Sequence, residues 1–368
     1  MHEQAKSIIT KGLAKGVLFT PEALEFLKLK PEKEIEKILS QSWQSRIVTR
    51  RELALLERPA IEARVVKSLA AKPQQSAELQ MRFFASKYEK MRKIAAERMA
   101  DKAFYSLDRL PQRAQEICVI GIVKDIRKAE KVTVELEDPT GSKPVIFDKQ
   151  PDCDIDEVVA IQASAANNIL FGKRILLPDI PLRAPAKGKG RACFISDLHL
   201  EEAPRSDLQK FFRWLEGQES INWLFVSGDI GDLAAFEELA CDRPVFISPG
   251  HADTKDSYPQ LPLQARRKDI ACLSNPAMVN AGGVNVLLCH EFSLDMLKKR
   301  HLGKSQAVLE EDFLTLDVVP DVVACGHDHK PFVSNYKSTT IVNAGSLLAD
   351  FKPVVVDFET RDVKQISL

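Results

Sequence analysis

Apolar residues follow three different rhythms along this chain. In residues 1–41 they recur at helical spacing, through Ile8, Ile9, Leu13, Val17 and Leu18. Thr20-Pro21-Glu22 then supplies an N-cap, a proline at the first helical position and a first-turn acid; Lys30-Pro31-Glu32 opens a third helix the same way, ahead of Ile35, Ile38 and Leu39. So short a stretch makes a marginal core, and this N-terminal helical unit is expected to be an interaction module. Residues 42–81, rich in charge, Ala and Gln with Pro59 and Pro73, read as a flexible tether. Helical spacing returns in 82–114 through Phe83, Phe84, Tyr88, Met91, Ile94 and Met99, with Lys and Arg on the other face.

At 115–181 the rhythm becomes alternation. CVIGIVKDIR, KVTVELEDPTG, KPVIFD, EVVAIQASAA and KRILLPDI read as five short strands, with a turn at Asp138-Pro139-Thr140-Gly141. That pattern predicts a small β-barrel of oligonucleotide-binding type. Phe147 and Phe171 are its only aromatic residues, which counts against base stacking and favours a scaffold or subunit contact. A basic linker, 182–191, leads to the third rhythm. In 192–368 the apolar runs are unbroken and alternate with helical stretches at 206–216 and 233–240, as in an α/β layered domain. The fold class expected is therefore multidomain α+β: helical unit, barrel, and α/β domain.

Each run of the third domain stops on polar residues. ACFISDLHL ends on Asp197 and His199, WLFVSGDIGD on Asp229 and Asp232, VFISPGHAD on His251 and Asp253, VLLCHE on His290, and VVACGHDH on His327 and His329. Side chains at successive strand ends gather at one side of a layered sheet. Five of the seven histidines lie there, among carboxylates and without a thiolate. Such a donor set suits two divalent ions, Mn2+ foremost, with Fe2+, Zn2+ or Mg2+ as alternatives, rather than a structural zinc knuckle. Asp229 is placed to bridge the pair, with Asp197, His199 and His329 on one ion and His290 and His327 on the other. Asp232 is expected to orient a ligand histidine.

Totals change this picture little. Lys and Arg number 52 and Asp and Glu 52, so no global field drives the protein onto nucleic acid. Seven scattered cysteines without a CxxC pair suit a reducing cytoplasm. No apolar stretch is long enough to cross a bilayer, and no membrane partner is expected.

The motif series D-x-H, G-D-x-x-D, G-x-x-D, H, G-H-x-H resembles the calcineurin-like metallophosphoesterases. More narrowly, VELEDPTGSKPV, LLPDIPL, LSNPAMV, KKRHL and IVNAGSL resemble the small subunits of archaeal family D DNA polymerases, well over residues 82–368 and more loosely before them. The resemblance implies an oligonucleotide-binding barrel followed by a phosphoesterase domain. It also implies a heterodimer with a large catalytic subunit, primer-template or single-stranded DNA as substrate, a sliding clamp as a further partner, and 3′→5′ exonuclease activity at the nucleoid. One departure matters. Where that family has P-G-N-H-D, this chain has Pro249-Gly250-His251-Ala252-Asp253. His251 replaces a ligating asparagine and can itself ligate; Ala252 replaces the histidine that protonates the leaving 3′-oxygen, unless His251 takes over as the catalytic acid. Asp253 keeps the family's acid as a supporting residue. The alternatives are an attenuated exonuclease and a non-catalytic scaffold subunit with a vestigial metal site. A free-standing phosphatase would need neither barrel nor linker.

Overall fold

The computed structural model describes residues 2–40, 47–50, 53, 61–74, 76–241 and 243–368. They divide into two compact units, Met1–Glu62 and Ala63–Leu368. In the first, α1 (His2–Leu13), α2 (Pro21–Lys28) and α3 (Glu32–Leu39) accompany two short strands, β1 (Leu18–Phe19) and β2 (Ile47–Val48), paired in parallel. Thr20 caps α2, its hydroxyl accepting from the Ala23 N–H at 3.3 Å. Ile8, Val17, Ala23, Leu27, Ile35, Ile38 and Leu39 are buried together, whereas Leu13 and Leu18 are exposed.

The second unit departs from the expected flexible tether at its start. Much of the expected tether lies outside the described residues, but Ala63–Lys67 is a strand, β3, on the margin of a large sheet. Its central Val65-Val66 has the β-branched bias that a pleated surface favours, and Lys67 reaches the Thr315 carbonyl at 2.8 Å. Next, α4 (Ala77–Arg98) starts at Ser76, whose hydroxyl accepts from the Leu79 N–H at 3.1 Å.

After β4 (Phe104–Tyr105) come β5 (Arg113–Lys128), β6 (Val132–Asp138), β7 (Gly141–Phe147), β8 (Val158–Ala166) and β9 (Ile169–Leu176). Strand order β5-β6-β7-β9-β8 returns to β5, so five strands close a barrel, with β7 and β9 parallel and the other neighbours antiparallel. Alternation in β6 sends Val132, Val134 and Leu136 inward. The β6–β7 turn is held by Asp138, which accepts from the Thr140, Gly141 and Leu107 N–H groups. Tyr88 and Ala95 of α4 pack on Ile120 and Ala160, covering part of the barrel's outside.

The remaining strands form two six-stranded sheets. Chain order runs β10 (Arg191–Ile195), α5 (Arg205–Glu216), β11 (Ile221–Ser227), α6 (Leu233–Leu239), β12 (Val245–Ser248), β13 (Ile270–Cys272), β14 (Ala277–Ala281), β15 (Val284–Leu288), α7 (Leu294–Lys299), β16 (Val322–Cys325), β17 (Phe332–Tyr336), β18 (Thr339–Asn343), β19 (Val354–Asp357) and β20 (Val363–Gln365). One sheet is ordered β13-β12-β11-β10-β19-β20 and the other β17-β18-β16-β15-β14-β3. Strands β10, β11, β12 and β13 are parallel, as are β15, β16 and β18. All-apolar runs are what a sheet covered on both faces requires. Leu208, Phe211, Phe212 and Leu215 of α5 cover one face of the first sheet, and Phe194, Phe225 and Phe246 stack in series on the other. The sheets touch directly where the Ser227 hydroxyl donates to the Ala324 carbonyl at 2.9 Å. Parallel strands put their C-terminal ends together, and those ends carry the polar residues.

Candidate metal centre

The loops leaving β10, β11 and β16 turn sharply. Among the described residues, Asp197, His199, Asp229, His327 and His329 all have positive φ, between 45° and 73°. A left-handed backbone at a non-glycine residue costs roughly 1–2 kcal/mol, and such strain persists only where surrounding bonds fix it. Those bonds are present. The loop after β10 is zipped to the loop after β11 by Asp197 N–H to Gly228 carbonyl at 3.0 Å and His199 N–H to Asp229 carbonyl at 2.9 Å. The Ser346 hydroxyl donates to the Asp197 carbonyl at 2.9 Å, and the Asn343 amide donates to the Gly326 carbonyl at 3.0 Å.

The strain aims the side chains inward. His199 Nε2 and His329 Nε2 lie 3.0 Å apart, His329 Nε2 is 3.6 Å from Asp197 Oδ1, and His199 Nε2 is 3.9 Å from Asp229 Oδ2. Two nitrogens each about 2.1 Å from one ion and at right angles would be about 3.0 Å apart. Across Asp229, His290 Nε2 is 3.1 Å from Oδ2. His290 Nδ1 donates to the Ser227 carbonyl at 2.8 Å, which leaves Nε2 to face the centre. The rings of His251, His290 and His327 stand 5.1–5.7 Å from one another, with His251 Nε2 3.4 Å from Glu291 Oε2.

Among the described residues, two buried atoms here have no hydrogen-bond partner, Asp197 Oδ2 and His290 Nε2, the latter facing Asp229 Oδ2. Orphaned atoms of this kind cost about 1–3 kcal/mol each in a site with nothing to bind. The carboxylates also differ. Burial pushes the Asp197 carboxyl up. Burial acts on Asp229 too, but the His290 imidazole and the Ala252 N–H, which donates to Oδ1 at 2.8 Å, outweigh it and hold that carboxyl well below the usual range. An anionic, hydrogen-bonded carboxylate between two sets of imidazoles is suited to bridging two cations. The residues present fit the metal-ion pair that the motif series implies.

Residues 191–362 match the family model described as the calcineurin-like phosphoesterase superfamily domain. A DNA polymerase II small subunit of Thermoplasma acidophilum is 25% identical, over 92% of this chain and 86% of its own length. Its counterpart from Archaeoglobus fulgidus is 24% identical, over 78% of this chain and 74% of its own. Over most of its length this chain is similar to the archaeal DNA polymerase II small subunits. Among solved structures, one described as a novel archaeal phosphodiesterase aligns with a TM-score of 0.34 and 16% identity, over 48% of this chain and 99% of that one.

The structure brings Asp197, His199, Asp229, His251, His290, His327 and His329 together. Asp232 is not among them. Its carboxylate caps α6, accepting from the Ala235 N–H at 2.9 Å, and pairs with Arg205 at 3.2 Å, so it orients no histidine. Asp253 holds loops instead: it accepts from the Ile230, Gly231 and Gly250 N–H groups at 2.8, 2.9 and 2.8 Å. Three residues were not foreseen. Asn275 is buried and accepts from the His290 N–H at 3.1 Å while donating to Gln260, which donates on to the Gly250 carbonyl at 3.1 Å. Asn275 lies within the LSNPAMV stretch, the one signal available for it. Glu291, the third, had none beyond its place next to His290. Among the described residues, no helix is long and apolar enough to cross a membrane.

Proposed function

We propose that this chain is the small subunit of a two-subunit archaeal DNA polymerase and that its phosphoesterase domain is a metal-dependent 3′→5′ exonuclease. The carrying observation is the set of strand-end loops that gathers seven donor residues, five of them at positive φ, and leaves Asp197 Oδ2 and His290 Nε2 unpaired there. Asp197, His199, Asp229 and His329 would hold one divalent ion; Asp229, His290, His327 and His251 would hold the other. Bound there, a divalent pair, Mn2+ foremost, supplies a water of lowered pKa and a clamp on the phosphate oxygens. Asp229 stays anionic between the two groups, and His290 is kept in one tautomer by Ser227. At the rim, Ala252 carries no proton for the leaving 3′-oxygen, which lowers turnover by about 10²–10⁴-fold relative to a site with a general acid.

The partners follow from the same reading. A large catalytic subunit would supply nucleotidyl transfer, and the 3′ end of a primer-template or single strand would enter the metal centre. The closed order β5-β6-β7-β9-β8, with its parallel β7–β9 pair, supports an oligonucleotide-binding type of barrel. Phe147 is buried in its core, which leaves Phe171 as its one partly exposed ring and favours a subunit contact over base stacking.

The test is a 3′-mismatched primer incubated with the purified chain and Mn2+. Mononucleotides should leave the 3′ end, and Asp229→Ala should abolish the release. Ala252 also favours a second reading, a non-catalytic scaffold subunit. Release no greater than that of Asp229→Ala, with metal bound, would establish the scaffold and sink the exonuclease.

A further inference from the structure

Where the Pro249–Asp253 loop departs from its expected pattern, a carboxylate from another loop stands opposite. Glu291 leaves the end of β15 immediately after His290, and its Oε2 lies 3.4 Å from His251 Nε2. One ligand atom each from His251, Glu291 and His327 all fall within 4.8 Å of one another. The three come from three separate loops, after β12, β15 and β16, so no single local turn explains their meeting. An independent observation points to the same place. His290 is fully buried, its Nε2 has no hydrogen-bond partner, and its ring stands 5.7 Å from that of His251 and 5.6 Å from that of His327.

We propose that Glu291 is a ligand of the second cation position, completing it with His251, His290, His327 and the shared Asp229. The proposal rests on the two-ion reading above and adds to it a donor and a class of ion. With His251 in place of a neutral amide, Asp229 is the one carboxylate that the two-ion reading assigns to this position, and it is shared. Glu291 supplies a carboxylate of the position's own. A mixed set of imidazole and carboxylate donors, larger than four, suits Mn2+ or Fe2+ better than tetrahedral Zn2+. It also commits His251 to the ion.

The experiment is Mn2+ binding to the full chain, followed by calorimetry and by metal content after gel filtration, with no catalytic readout. The wild-type chain should bind two ions. Glu291→Gln should leave the first ion's affinity unchanged and weaken the second by about 10-fold or more. Glu291→Asp, which keeps a carboxylate one methylene back, should recover part of that loss. Two ions bound by Glu291→Gln with wild-type affinities would overturn the proposal and leave the two-ion reading standing. Equal losses in Gln and Asp would also overturn it, because they would trace to loop shape. Fewer than two ions on the wild-type chain would overturn the two-ion reading and this proposal together.

Discussion

Asp253 should prove more important to stability than to chemistry. Its two oxygens take three backbone N–H groups: Ile230 and Gly231 from the loop after β11, and Gly250 from the loop after β12. Asp253→Ala removes all three acceptors at once. A hydrogen bond to a charged group contributes about 1.5–3 kcal/mol, and an amide left without a partner costs about 1–3 kcal/mol. Asp253 is only partly buried, so water would replace some of what is lost, and a net destabilisation of about 3–5 kcal/mol is expected. Asp253→Asn keeps an oxygen for Ile230 and Gly231 but turns an NH2 toward Gly250, and should cost about half as much. The measurement is urea denaturation with EDTA present, so that no ion contributes. Tryptophan fluorescence is the probe: Trp214 on α5 and Trp223 in β11, which stacks on Phe358, both report the unit that carries the site, and Trp43→Phe removes the third tryptophan. An Asp253→Ala midpoint equivalent to less than about 1 kcal/mol would refute the reasoning, since the three N–H groups would then have other partners.

Three further outcomes are expected. Gly228→Ala places a Cβ 2.3 Å from His290 Nδ1 on a backbone with φ of 80°; left-handed strain and overpacking together should cost about 2–4 kcal/mol and weaken Mn2+ binding, both readable by melting with and without the ion. His301 is mostly buried and its Nε2 lies 3.3 Å from Asp312 Oδ1; burial lowers its pKa below the ordinary 6.5 in spite of that carboxylate, so the fold favours the neutral ring. That stabilisation is complete above pH 6.5 and is lost as pH falls through the folded value, so stability should decline on acidification below 6.5, and His301→Gln should flatten the slope in denaturation curves at pH 5–7. Ala252→His restores a proton donor at the rim and should raise single-turnover release of nucleotide, whereas an unchanged rate would show that the site does not lack an acid.

The site was largely legible in the sequence because a parallel strand covered on both faces is apolar throughout, so Asp197, Asp229, His290 and His327 interrupt it visibly. Helices α5 and α6 were legible for a related reason, their amphipathic spacing. What was not legible depended on contacts distant in sequence. Strand β3 is five residues inside a charged stretch, and its partner β14 lies more than 200 residues later. Asp232 looked like part of the centre because it sits three residues after Asp229, but Gly231 ends the loop and a helix starts there, which makes Asp232 a cap. Glu291 follows His290 as any surface acid might, and only the fold sets it opposite His251.

The division of ligands between the sheets has a mechanical consequence. Asp197, His199, Asp229 and His251 hang from one sheet, while His290, His327 and His329 hang from the other. Neither sheet alone carries either of the proposed ligand sets. An ion here would act as a clasp across the sandwich, so its binding energy would be sheet-docking energy: at 100 times the dissociation constant, about 2.7 kcal/mol against separation of the layers. Chelation would therefore loosen the domain along the plane between its sheets, and a substitution remote from the centre that lets the layers slide would empty it without touching any of the proposed ligands.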